Sequence, residues 1–105
     1  MKYIAVVTTV ATRAEAEAMA KSLVERKLAA CAQISEIRSF YVWDGAVQNE
    51  AEQRVLFKTT DQRYAEVEAA IRQMHSYELP AIHAYAFAHV YAPYGEWIAA
   101  NSMGR

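Results

Sequence analysis

The dipeptide Asp44-Gly45 constrains this chain more than any other feature. It stands between two apolar, β-prone runs, Phe40-Tyr41-Val42-Trp43 before it and Ala46-Val47 after it. A two-residue hairpin loop needs positive φ at both positions, and Asp-Gly is one of the pairs that adopts it at low cost. The strand leading in begins near Leu28 and runs through Ala32, Ile34 and Ile37. The strand leading out pairs back as Glu52–Thr60, with Val55, Phe57 and Thr59 on one face and Leu56 and Lys58 on the other. A ribbon of that length, with aromatic residues at its tip, is expected to project beyond a globule of 105 residues.

The remaining elements follow from periodicity. Residues 3–9 are β-branched and apolar on both parities, which predicts a strand covered on both faces. Thr12 with Glu15 three residues later matches a capping box, in which each side chain satisfies the other's backbone N–H. The helix that follows is expected to end near Lys27 and to bury Ala16, Met19, Ala20, Leu23 and Val24 as one stripe. Asp61 is the expected cap of a second helix over 62–75, with Tyr64, Val67, Ile71 and Met74 inward. Pro80 biases Leu79 towards extended geometry. A last strand is predicted over 81–91, with Ile82, Ala84, Ala86, Ala88 and Val90 on one face and His83, Tyr85, Phe87, His89 and Tyr91 on the other. After Pro93, residues 94–100 read as a short helix anchored by Trp97 and Ile98.

The order β-α-β-β-α-β plus a C-terminal helix is the α+β, ferredoxin-like sandwich, and 105 residues make a single domain spanning 1–105. Two helices in that architecture cover one sheet face. The strands here are apolar on both, and a lone soluble chain would leave the second face wet, so a homo-oligomer is expected.

Composition narrows the function. A hydrophobic fraction of 54% with 22% charged residues excludes a disordered chain. Eleven Lys and Arg against twelve Asp and Glu leave a net charge of -1, without the clustered positive charge of a nucleic-acid footprint. Five apolar residues after Met1-Lys2 are too few for a signal-peptide core, and no run approaches a membrane span. A lone cysteine, Cys31, forms no internal disulfide and suits a reducing compartment. A cytoplasmic location is the expectation.

Cys31, His75, His83, His89, Glu78 and Glu96 are the candidate metal ligands, yet no C-x-x-C, H-x-x-x-H or H-E-x-x-H spacing occurs. His83 and His89, six residues apart on one strand, would sit roughly 20 Å apart at ~3.3 Å per residue. Copies of a single histidine could still meet near a symmetry axis. The segment Met74-His75-Ser76-Tyr77-Glu78-Leu79-Pro80 sets an imidazole, a phenol and a carboxylate at a helix-to-strand junction. His75 there reads either as a ligand or proton carrier, or as a helix-end histidine answering the dipole. Tyr41, Trp43 and Lys58 read either as a site for a small anion or planar ligand, or as sheet packing. Cys31 lies among small apolar residues that suit an inert thiol. No nucleophile elbow and no glycine-rich phosphate loop is present, which sets aside nucleophilic hydrolysis and an acylphosphatase-like activity.

Five segments together resemble the CutA divalent-cation tolerance family over essentially the whole chain. They are Leu28-Ala29-Ala30-Cys31-Ala32, Ser39-Phe40-Tyr41-Val42-Trp43-Asp44-Gly45, Leu56-Phe57-Lys58-Thr59-Thr60, His75-Ser76-Tyr77-Glu78-Leu79-Pro80-Ala81-Ile82 and Tyr94-Gly95-Glu96-Trp97-Ile98. The resemblance implies a homotrimer built from long hairpins, a role linked to copper or another divalent cation, and no enzymatic activity. Some members look as if they ligate copper through a cysteine ending the first strand and adjacent histidines before a Pro-Tyr turn. This sequence has Thr8 at the first place and Met74-His75-Ser76 at the second. What carries over is His75 as main ligand and Met74 as a soft donor suited to Cu(I), completed by Glu78 or a neighbouring subunit's group. Tyr41, Trp43, Lys58 and Tyr77 match the pattern beside an intersubunit cleft. Two other readings share the trimer. One is a PII-type signalling module holding a small anionic metabolite at Lys58, Tyr41 and Trp43; the other is a structural anchor that trimerises a partner.

Overall fold

The computed structural model describes residues 1–104, so the last residue of the expected domain, Arg105, lies outside the described residues. Four strands, β1 (Tyr3–Val10), β2 (Cys31–Trp43), β3 (Ala46–Thr60) and β4 (Ile82–Ala86), form one antiparallel sheet in the order β2-β3-β1-β4. Helices α1 (Arg13–Glu25) and α2 (Tyr64–Met74), the latter preceded by a 3-10 turn at Asp61–Arg63, carry the βαββαβ crossovers, and α3 (Ala92–Ala100) ends the chain. This is the ferredoxin-like α+β arrangement.

The main core lies between the sheet and α1 and α2. Val6, Val10, Val55 and Phe57 point inward from β1 and β3 and meet Ala16, Met19 and Leu23 from α1 and Val67 and Ile71 from α2, all fully buried. Ala20, Tyr64 and Met74 pack against the edge of that cluster, whereas Val24, expected inside, is 37% exposed on the last turn of α1. The second face is only partly open, because α3 folds over it. The Tyr3 ring lies so close to Gly95 that a Cβ there would come within 2.9 Å of it, and the Lys58 ammonium donates to the Tyr94 hydroxyl at 3.1 Å. Ala5 and Val7, which share that face, are buried.

Asp44 and Gly45 have φ of 55° and 77°, the all-positive turn that the dipeptide predicts. β2 and β3 then pair from Trp43↔Ala46 to Cys31↔Lys58. β1 reaches β3 only as far as Val10↔Gln53, so residues 46–52 and their partners on β2 run on alone as an arm. The arm accounts for the molecule's length of 45 Å against 27 and 21 Å in the other directions. It exposes Phe40, Val42 and Val47 to about 70%.

Three expectations are corrected. The last strand stops at Ala86 instead of 91 because among the described residues it pairs with β1 alone, and β1 begins at Tyr3: Ile4 faces Ala86, Phe87 N–H still donates to Tyr3 O, and the described residues offer no strand beyond that. His89 is therefore off the strand and does not share a sheet face with His83. Asp61 does not cap a helix; it opens the 3-10 turn, and neither that turn nor α2 has a side-chain cap. The capping box at Thr12 is half made. Thr12 Oγ1 accepts from Glu15 N–H at 3.1 Å, but the Glu15 carboxylate turns to Ser76.

Candidate functional site

Along the arm from its root towards the turn, beside the edge where α2 hands over to β4, lies a cavity of about 770 Å³. Its walls are Ser39 to Trp43 from β2, Thr9 from β1, Glu52 from β3, and Ser76 to Leu79 with Ala81 from the junction. The junction forms because α2 ends at Met74: His75 adopts extended backbone, φ -79° and ψ 137°, and takes the chain across the end of β1.

Hydrogen bonds hold that crossing on both sides. His75 Nε2 lies 2.8 Å from Thr9 O and 3.1 Å from Thr8 Oγ1, and Tyr77 N–H donates to His75 Nδ1 at 3.1 Å. Ser76 donates twice to the Glu15 carboxylate, from its N–H at 3.0 Å and its hydroxyl at 3.1 Å. The Tyr77 ring packs on the imidazole with centroids 4.9 Å apart, and its hydroxyl donates to Glu52 Oε2 at 2.7 Å. Next to it, the Tyr41 hydroxyl donates to Glu50. The cleft wall thus carries two phenol–carboxylate pairs. Burial first, then the bond to Glu52, raises the Tyr77 phenol above the usual tyrosine range. The bond to Glu50 pushes Tyr41 up to about 12, so both phenols stay neutral donors at physiological pH.

The residues singled out in the sequence separate into two groups. Tyr41, Trp43, Tyr77 and Glu78 line the same cavity. Met74 packs against the core and His75 is buried beneath the junction with a side chain 1% exposed. Lys58 lies elsewhere. It is ten positions along β3 from Gln48, the residue facing Tyr41, or roughly 30 Å at ~3.3 Å per residue. There it bonds Tyr94 and sits 5.3 Å from the centre of that ring. One chain therefore does not assemble Lys58, Tyr41 and Trp43 into an anion site. Cys31, at the start of β2 opposite Lys58, is also remote from the cavity.

Of residues not singled out as site members, Glu52 lines the cavity, and Glu50 and Glu15 hold lining residues from behind. Glu50 and Glu52 have a readable signal: a two-residue loop pairs Tyr41 with Gln48, and Glu50 is then the diagonal neighbour that a long side chain reaches. Glu15 had none, since its cap position hid the contact with Ser76 sixty-one residues away.

The family model described as "CutA1 divalent ion tolerance protein" matches residues 4–101. The chain belongs to that family. The divalent-cation tolerance protein CutA of Archaeoglobus fulgidus is 39% identical over 84 residues, covering 80% of this chain and 82% of the relative. The CutA protein of Thermotoga maritima is 34% identical over 95 residues, covering 90% and 94%. Among solved structures, that of the A. fulgidus protein, described there as the periplasmic divalent cation tolerance protein CutA, superposes with a TM-score of 0.93 at 34% identity over 95% of this chain and 98% of that one. In the CutA1 framework a copper ion asks for sulfur or imidazole donors. The positions proposed for it do not fit one as folded here: Thr8 offers a hydroxyl, both His75 nitrogens are in hydrogen bonds, and Met74 faces the core. Among the described residues no three His, Cys, Asp or Glu side chains converge on one point. Nor is any helix of the described residues long and apolar enough to cross a membrane.

Proposed function

We propose that this chain works as a cytoplasmic, non-enzymatic homotrimer of the CutA type, and that it takes a divalent cation or a small polar ligand in the cleft beside Tyr41, Trp43, Tyr77 and Glu78. The observation that carries the reading is the cavity of about 770 Å³ along an exposed apolar arm. A neighbouring subunit laid along that arm supplies the missing wall and buries Phe40, Val42 and Val47, in keeping with the size of apolar patch a soluble monomer leaves open. The donors that face the cleft are oxygens, from Glu52, Glu78 and the two phenols, which suit harder divalent ions better than copper. His75, Met74 and Glu78 form the ligand set that the family resemblance suggests, and within it Glu78 is the exposed member free to turn towards an ion. The anionic-metabolite reading, which places Lys58, Tyr41 and Trp43 at an intersubunit cleft, finds no support within one chain, where Lys58 is remote from Tyr41 and bonded to Tyr94.

Calorimetric titration with Mn(II), Zn(II), Cu(II) and Cu(I) tests the site. Binding by the wild type and a loss of about tenfold in Glu78→Gln is expected, the size of one charged donor removed. Equal affinities in the two proteins, or no heat with any ion, overturns the cation reading.

A further inference from the structure

The ring of His75 can be assigned atom by atom. Thr9 O is a carbonyl and only accepts, so Nε2, 2.8 Å away, carries the ring proton and shares it with Thr8 Oγ1. Tyr77 N–H only donates, so Nδ1 presents a lone pair to it at 3.1 Å. Neither nitrogen is left for a metal, and with a side chain 1% exposed the ring has no open approach. The two bonds join the end of β1 to the backbone three residues past the end of α2. The same backbone is held from α1 by Glu15, whose carboxylate accepts twice from Ser76 and lies 4.0 Å from Nδ1.

We infer that His75 is a positioning residue and not a metal ligand: it latches the 75–80 segment to β1 so that the Tyr77 hydroxyl reaches Glu52 on the cleft wall. Its functional consequence rests on the cleft reading above, but the latch is measurable with no ligand present. A metal bound at Nδ1 would strip Tyr77 of its backbone partner, and one bound at Nε2 would take from the half-buried Thr9 carbonyl its imidazole donor. Either loss opposes ligation, because a polar group shielded from water and left without its partner is unfavourable.

Nitrogen-15 NMR of the imidazole in the full chain tests this directly. The expected result is the Nε2–H tautomer, with ring signals unmoved by one equivalent of Zn(II). Ring nitrogens that shift stoichiometrically with zinc make His75 a ligand and overturn the inference. Two variants then separate positioning from mere packing. His75→Asn keeps an acceptor for an N–H two residues on, the geometry of an Asx turn, whereas His75→Ala keeps none. The Tyr77 backbone N–H, which donates to Nδ1 in the wild type, is expected to exchange with solvent faster in His75→Ala and to regain protection in His75→Asn. Unchanged Tyr77 N–H exchange in folded His75→Ala overturns the latch, and should that variant not fold, the wild-type tautomer and zinc titration decide alone. If no ligand binds the cleft of any protein, the functional proposal falls while these readouts stand.

Discussion

The two ends of the β2–β3 ribbon are built from similar residues and live in opposite surroundings. Near Thr60, Val55 and Phe57 are fully buried under α1 and α2. Near the turn, Phe40, Val42 and Val47 are about 70% exposed, and none of the described residues buries them. The difference lies in the partners: β1 and two helices cover the first half, and β1 ends before the second begins. Hydrophobicity in a strand therefore reports that a face is to be covered, not by which chain. The closed end holds the fold, and in the proposed trimer the arm's exposed face is the surface that a neighbouring subunit covers.

Substitutions can break or sharpen that contrast, beginning with the largest effect. Phe57→Ala in the closed end should destabilise by about 3–5 kcal/mol, read by denaturant unfolding, because it opens a cavity the helices cannot fill. The paired change Phe40→Ser with Val42→Ser should leave secondary structure intact by circular dichroism yet abolish the dependence of Tm on protomer concentration that mass action gives an oligomer. A Tm that responds to concentration as in the wild type would mean the arm is not an interface. Thr12→Ala, which removes the acceptor for Glu15 N–H, should cost about 1 kcal/mol without touching oligomerisation. The smallest effect is in the phenols. Tyr41 is raised from 10.0 to about 12, so its neutral form is favoured by the fold; that stabilisation is whole below pH 10 and fades as pH climbs from 10 towards 12. Ultraviolet titration should show Tyr41 and Tyr77 ionising late among the seven tyrosines, and Glu50→Gln should bring Tyr41 back towards its ordinary value.

What could be read from the sequence was local. A two-residue turn with positive φ sets its own register, so Asp44-Gly45 foretold the whole pairing of β2 with β3. Thr12 and the stripes of α1 and α2 were legible for the same reason, since a cap or a 3.6-residue period is complete within one element. Features closed by distant partners were not legible. The length of β4 depends on where β1 begins, and the alternation from Ile82 to Tyr91 holds no record of that limit. At the site, the fold brings Tyr41, Trp43, Tyr77 and Glu78 to one cavity. The role of Glu15 and the separation of Lys58 from Tyr41 required the folded chain.

Sedimentation equilibrium of the wild type beside the Phe40→Ser, Val42→Ser variant tests the central claim most directly. The account predicts three times the 11.8 kDa chain mass for the wild type at micromolar concentration, and a smaller species once the arm is made polar. A wild-type protein that sediments as a single stable 11.8 kDa particle would contradict it, and the cleft would then have to work with one wall open to water.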